Sequence, residues 1–367
     1  MKILSIETSC DETAVSIVEA EGGIESPSFK ILGNALFSQV NRHREYGGVY
    51  PMLAKREHIK NLPPLLASVL KQAGMDKTKR PDIDIIGVTS GPGLEPALWV
   101  GISFAENLAK LWDIPVVPIN HMEGHICSVL INETNEFSIS NFQFSNRIQF
   151  PALALLISGG HTELVSMKDW GKYEVIGQTC DDAVGEAFDK VARMLGLPYP
   201  GGPEISKLAE YARENNLPRV AKLPRPMIHS DNFNFSFSGL KTAVLYYIRD
   251  KFNKDHTKMS FEEKADLARE FEDAVVDVLL HKTERVILET NTKTLIVAGG
   301  VIANKKIRQT FTELVEKYPD LILKIPTNSL ATDNSLMIAA ATYFNVILNP
   351  KILDEQTKII ANGNLRL

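Results

Sequence analysis

Apolar runs that each stop in a small or polar turn recur three times along this chain. The N-terminus, KILSIETSCDETAVSIVEA, reads as two short β-like runs joined by a polar hinge. ALALLISGGHTELVSM, residues 152–167, repeats the plan around a Gly-Gly turn, and the apolar run 294–298 ends in Gly299-Gly300 before a helical stretch. Three strands ending this way predict an α/β protein of two related lobes facing each other, with the turns lining a cleft.

Between the first two turns the pattern predicts a strand over 83–89, a Gly91-Pro92-Gly93 break and a helix over 94–112. Its apolar residues recur at Leu94, Ala97, Leu98, Gly101, Ala105, Leu108 and Trp112, the spacing of one buried face. A strand over 115–119 and a helix over 121–131 follow. Residues 132–149, rich in Asn and Ser, read as an inter-lobe linker or surface insertion. Further helices are expected near 181–195, 203–215, 240–252, 261–290 and 304–317, and a strand over 321–325. The almost wholly apolar stretch 334–348 reads as a buried helix that returns to the first lobe. The lobes are therefore expected at 1–131 and 150–333, with a C-terminal tail over 349–367.

Composition supports this picture. With 367 residues, 44% hydrophobic and 23% charged, the chain is globular and long enough for two lobes. A net charge of −5 excludes a general polyanion binder. Cys10, Cys127 and Cys180 form no CxxC pair, so neither a disulfide framework nor a zinc ribbon is expected. Met1-Lys2 leads directly into an apolar run, and no run reaches the roughly 18 residues of a membrane span, so a cytoplasmic protein is expected.

Candidate chemistry begins at HMEGH. His121 and His125, four apart, project from one helix face, where two imidazoles can reach one metal ion. Two polar helix-face histidines are an equally good reading of that pair. Glu123 stands in the wrong place for the HExxH motif, and no PCxxC follows for a zinc deaminase. Asp333 is a further carboxylate, although for a residue opening a helix the cap is the commoner role. The glycine pairs match neither the P-loop nor the dinucleotide fingerprint. Ser158-Gly159-Gly160, between two β-like runs, is nevertheless placed to offer backbone N–H groups to a phosphate. In DDAVGEAFDK, Asp181, Asp182 and Glu186 suit a helix start, whereas Asp189 comes too late to favour the helix dipole.

Ten ordered blocks then carry a resemblance over nearly the whole chain: IETSCDETAVSIV, SQVNRHREYGGVYPMLAKREHI, SGPGLEPALWVG, INHMEGHI, LLISGGHTELV, DDAVGEAFDKVARMLGLPYPGGP, FSFSGLKTAV, FEDAVVDVL, IVAGGVIANKKIR and ATDNSLMIAA. They resemble the TsaD/Gcp family, which installs threonylcarbamoyl on tRNA, and ETSCDET resembles its bacterial and mitochondrial branch. The chain departs from the pattern at Leu94-Glu95-Pro96, in the 132–149 stretch and after Pro350.

The resemblance implies the actin-like ATPase superfamily fold. It implies transfer of threonylcarbamoyl from threonylcarbamoyl-AMP to the exocyclic amine of the adenosine beside the anticodon, position 37 of tRNAs reading ANN codons. It also implies His121, His125 and Asp333 as ligands of one divalent metal, iron(II) or zinc with magnesium as a further option. Leu156, Ile157, Ser158, Gly159, Gly160, Asp189, Gly202 and Asn304 correspond to adenylate- and threonylcarbamoyl-holding positions. Asp11 and Glu12 are the candidate proton acceptors. A paralogous TsaB-like subunit and a small TsaE-like ATPase are the implied partners, with no membrane. The competing readings are a small-molecule kinase of the same fold, which needs no histidine pair, and a nucleotide-gated scaffold.

Overall fold

Two five-stranded mixed sheets are built to one plan. The first comprises β1 (Lys2–Glu7), β2 (Glu12–Glu21), β3 (Ser28–Ser38), β4 (Ile85–Gly91) and β5 (Val116–Asn120) in the order β3-β2-β1-β4-β5. The second comprises β6 (Ala152–Ile157), β7 (Thr162–Asp169), β8 (Lys172–Gln178), β9 (Thr294–Ala298) and β10 (Ile322–Lys324), and its order, β10-β9-β6-β7-β8, is the same plan listed from the other edge. In each, three strands form an antiparallel meander and two more add in parallel beside the first. β1, β4, β6 and β9 are almost entirely buried, as expected of central strands covered on both faces. This computed structural model describes residues 1–75, 80–131, 148–353 and 358–367; most of the expected insertion over 132–149 lies outside them.

The first unit gathers Met1–His43, Val49–Ile148 and Pro326–Leu367. Its sheet packs against α1 (Pro51–Gln72), α2 (Glu95–Trp112) and α3 (His121–Cys127), and against α9, Ser335–Leu348. Pattern reading misses α1 because Pro63 and Pro64 interrupt it. Both prolines lie on the exposed side, where the carbonyls they deprive of a partner reach water, while Ala54, His58, Leu62, Leu66, Val69 and Leu70 keep a continuous buried stripe. α9 is buried for most of its length and packs on β1 and β2; Gly87 in β4 lets it approach, since a Cβ there would stand 1.9 Å from Thr342 Oγ1. The division at 333 and the separate tail from 349 are corrected. Pro326 onward belongs to the first unit, and Ile359 and Ala361 enter the core with Ile86 and Val88.

The second unit comprises Arg44–Gly48 and Gln149–Ile325. It carries α4 (Val184–Met194), α5 (Gly201–Glu214), α6 (Ser238–Phe252), α7 (Phe261–Thr290) and α8 (Lys305–Glu316). The long α7 starts where the sequence signals it, with Ser260 and Glu263 forming a reciprocal capping box. The acids of DDAVGEAFDK precede or enter α4, and Asp182 and Glu186 share Lys190. Asp181 accepts from Ser236 and from the Phe237 and Ser238 backbone at the start of α6, and Asp182 pairs with Lys190 and Lys241.

Candidate functional site

In the first unit, α3 starts at a side-chain cap: Asn120 Oδ1 accepts from Met122 N at 2.8 Å. Gly124 keeps α3 close to α9, because a Cβ there would meet Ile338 Cδ1 at 3.0 Å. The His121 and His125 rings share a face, with centroids 4.7 Å apart and planes at 86°. Asp333, in the turn before α9, reaches both: its Oδ1 lies 3.4 Å from His121 Nε2 and 3.2 Å from His125 Nε2. The cap reading of Asp333 is corrected, since the residue that caps α9 is Asn334, whose Oδ1 accepts from Met337 N at 3.0 Å.

Glu7, at the end of β1, supports this triad. Its side chain is fully buried and accepts from Ser9 N and Thr89 Oγ1, both at 2.5 Å, and its Oε2 lies 3.2 Å from His121 Nδ1. Burial opposes charging of His121, but Asp333 first and Glu7 second outweigh it and hold its pKa well above the ordinary value. Burial dominates at His125, which is pushed down. Burial opposes the charge on Asp333, yet the His121 charge beside it holds that carboxyl far below the usual range.

The donor set fits a divalent ion. One atom from each of His121, His125 and Asp333 can be chosen so that all lie within 4.8 Å of one another. His125 Nδ1 is buried without a hydrogen bond to any protein group and Nε2 meets only the Asp333 carboxylate, an arrangement costly for an imidazole that has no further ligand. Two imidazoles and one carboxylate leave coordination positions open, as a catalytic ion requires.

Asp11 and Glu12 lie where β2 begins. Asp11 is buried, and its Oδ2 makes no protein hydrogen bond. Burial pushes its pKa up, and burial together with the Asp11 charge pushes Glu12 well up. Glu12 Oε1 also accepts from Ser38 Oγ at 3.2 Å.

The second unit holds a cavity of about 430 Å³ whose walls include Gly159, Phe188, Asp189, Gly202, Gly300 and Asn304. A Cβ at Gly159 or Gly300 would meet nothing within 4 Å, so backbone is laid bare on both sides. Asn304 caps α8 through Oδ1, and its Nδ2 donates to buried Glu272 at 2.6 Å, which fixes its place in the wall. Asp189 Oδ1 accepts from Gly201 N at 2.7 Å, capping α5. Of the eight binding positions expected here, Gly159, Asp189, Gly202 and Asn304 line the cavity. Leu156 and Ile157 are instead completely buried within β6. Ser158 N bonds His161 O at 2.9 Å, so that N–H is not available to a phosphate, and Gly160 is outside the lining.

A model of the family described as TsaD, tRNA N6-adenosine threonylcarbamoyltransferase, matches residues 30–340. The protein of that name from Ralstonia pickettii (strain 12J) is 45% identical over 356 residues, covering 95% of this chain and 93% of its own. Its counterpart from Burkholderia ambifaria (strain MC40-6) is 47% identical over 349 residues, covering 93% and 91%. This chain belongs to the TsaD family. It is an enzyme, a transferase of that family.

A solved structure of T. kodakarensis HypF aligns with this TsaD-family chain at a TM-score of 0.57 and 12% identity. The alignment covers 96% of this chain and 49% of HypF, so the chain spans about half of that protein and the likeness is one of fold. The fold class is α/β, of the actin-like ATPase type, in agreement with the duplicated sheet plan. In the TsaD-family chain, pattern reading passed over Glu7 and Glu272. The available signal was an acid just after the largely apolar run Ile3–Ile6 of an almost entirely buried strand, or inside the buried stripe of a helix, where an unpaired charge is not tolerated.

Proposed function

We propose that the chain transfers the threonylcarbamoyl group of threonylcarbamoyl-AMP to N6 of adenosine 37 in tRNAs reading ANN codons. The amine attacks the carbamoyl carbon, a C–N bond forms, the bond from that carbon to the phosphate oxygen breaks, and AMP leaves with its electron pair. The convergence of His121, His125 and Asp333 in a chain of this family carries the reading. A divalent ion held there, iron(II) or zinc by its donor set, supplies Lewis acidity toward substrate oxygens. Glu7, through His121 Nδ1, fixes that ring's orientation.

The cavity of the second unit is assigned to the adenylate, with Gly159 and Gly300 admitting ribose or phosphate against bare backbone. Asp11 is assigned the amine proton: its free Oδ2 offers a lone pair, and burial makes it more basic than an ordinary carboxylate. The target base must leave its stack, which a single-stranded anticodon loop permits. With a net charge of −5 the chain alone attracts tRNA weakly, so TsaB-like and TsaE-like partners belong to the proposal, as does a cytoplasmic setting. Among the described residues no helix is long and apolar enough to cross a membrane.

Purified protein, with threonylcarbamoyl-AMP, an ANN-reading tRNA and the two partners, should yield threonylcarbamoyladenosine and AMP in equal amounts. Nucleoside mass spectrometry of digested tRNA reads the product. AMP release without modified nucleoside would refute the transfer.

A further inference from the structure

The block SQVNRHREYGGVYPMLAKREHI, residues 38–59, has entered the site so far only through Ser38. Within it Gln39, His43 and His58 are completely buried, as is Thr13 beside them. Backbone groups at their edges decide which atoms donate. Tyr50 N–H can only donate, and it lies 3.2 Å from His43 Nδ1; His43 therefore carries its proton on Nε2, which donates to Gln39 Oε1 at 3.1 Å. Ala54 O can only accept, and its 3.4 Å approach to Gln39 Nε2 fixes the same amide orientation. Cys10 O can only accept, so His58 Nε2, 3.0 Å away, carries the proton of that ring. His58 Nδ1 then accepts from Thr13 Oγ1 at 2.8 Å and more weakly from Gln39 Nε2 at 3.3 Å.

All these bonds are satisfied together only when both imidazoles are neutral. Burial favours that state, holding both rings below their ordinary pKa. The network ends on the turn before β2. His58 holds the Cys10 carbonyl, and Gln39 N donates to the next one, Asp11 O, at 2.9 Å.

We propose that Gln39 and His58, oriented by His43, are positioning residues for the transfer reaction: by fixing the Cys10 and Asp11 carbonyls they aim the Asp11 carboxyl without touching substrate. This rests on the reading of Asp11 as proton acceptor. A second consequence, independent of that reading, is that the network restrains Cys10, which is only partly buried.

Two substitutions of one residue separate positioning from mere stability. His58→Gln keeps a donor near the Nε2 position, whereas His58→Asn is one methylene shorter and loses the bond to Cys10 O. In the transfer assay with partners, His58→Asn should lower kcat at least about tenfold with KM for both substrates nearly unchanged, as expected of a displaced catalytic group. His58→Gln should keep kcat near wild type. Iodoacetamide labelling, read peptide by peptide, should be faster at Cys10 in His58→Asn only, with exposed Cys180 as the reference. If His58→Asn does not fold, Thr13→Val, which keeps the side-chain shape but withdraws the hydroxyl that holds His58 Nδ1, should lower kcat in the same direction. Equal kcat and equal Cys10 labelling in the two His58 variants, or a fully active Thr13→Val, would overturn the positioning role. A fully active Asp11→Asn would instead overturn the underlying reading of the acceptor.

Discussion

Asn345 on α9 donates through Nδ2 to Glu123 Oε2 on α3 at 2.8 Å. That bond divides the polar residues of HMEGH between two tasks. His121 and His125 face Asp333, while Glu123, itself buried, joins the two helices. Glu123→Gln should therefore keep transfer activity within about twofold, because an amide oxygen still accepts from Asn345. Asp333→Asn should lower bound metal and activity together by more than about tenfold, since a ligand charge is lost. Elemental analysis and the transfer assay check both. Asp333→Asn is a cleaner probe than His125→Ala, because His125 is completely buried and its truncation would open a void.

Glu7→Gln should weaken metal binding by about 10–100-fold, the usual effect of removing a carboxylate behind a ligating histidine. Titration with zinc against a competing chelator measures it. Unchanged affinity would detach Glu7 from the site.

Gly159→Val should fill the cavity of the second unit without straining the fold, because a Cβ there meets nothing within 4 Å. Affinity for an adenylate, read by calorimetry, should fall at least about tenfold, roughly 1.4 kcal/mol. Gly160→Val, equally uncrowded but outside the lining, should bind nearly as wild type. Equal affinities would move the nucleotide elsewhere.

Arg213 bonds Glu272 and Asp273, each at 2.5 Å, and Glu272 is fully buried. Arg213→Ala strands that carboxylate and should destabilise the protein by about 3–5 kcal/mol. Because Glu272 also holds Asn304 in the cavity wall, adenylate affinity should drop as well. Urea unfolding and calorimetry test the two effects separately.

Acid should weaken the native state through His58. Its folded pKa is lowered by burial, against opposing pulls from the Cys10 carbonyl, Glu7 and Glu57, with His43 reinforcing the fall. The unfolded chain thus binds the proton that the folded chain refuses, and stability is lost as pH drops below the unfolded value near 6.5, by at most about 1.4 kcal/mol per pH unit. The stability advantage of wild type over His58→Gln should narrow between about pH 7 and pH 5. A constant difference across that range would contradict the neutral imidazole.

Local periodicity made much of this legible. The α2 stripe, the capping box of α7 and the apolar α9 are properties of neighbouring residues, and a reader of sequence has those. The prolines of α1 mislead because their cost depends on which side faces water, and exposure is a tertiary property. β3 was missed for a related reason: only Gly33 of its residues is buried, so it carries no strong apolar alternation. At the site, the spacing of His121 and His125 and the family blocks named the triad. Whether Asp333 or Asn334 caps α9 turns on one residue of register, and Glu7 meets His121 through packing rather than through any motif.

The interleaving of the first unit also sets an order of events during synthesis. Apart from Arg44–Gly48, the second unit is one uninterrupted stretch, Gln149–Ile325, whereas the first waits for Pro326 onward. On the ribosome the middle of the chain can thus become native before its beginning, reversing the usual N-to-C sequence. A nascent chain halted before Asp333 would hold both histidines of α3 and still lack the carboxylate that meets them. The triad of His121, His125 and Asp333 can thus assemble only once translation has passed residue 333.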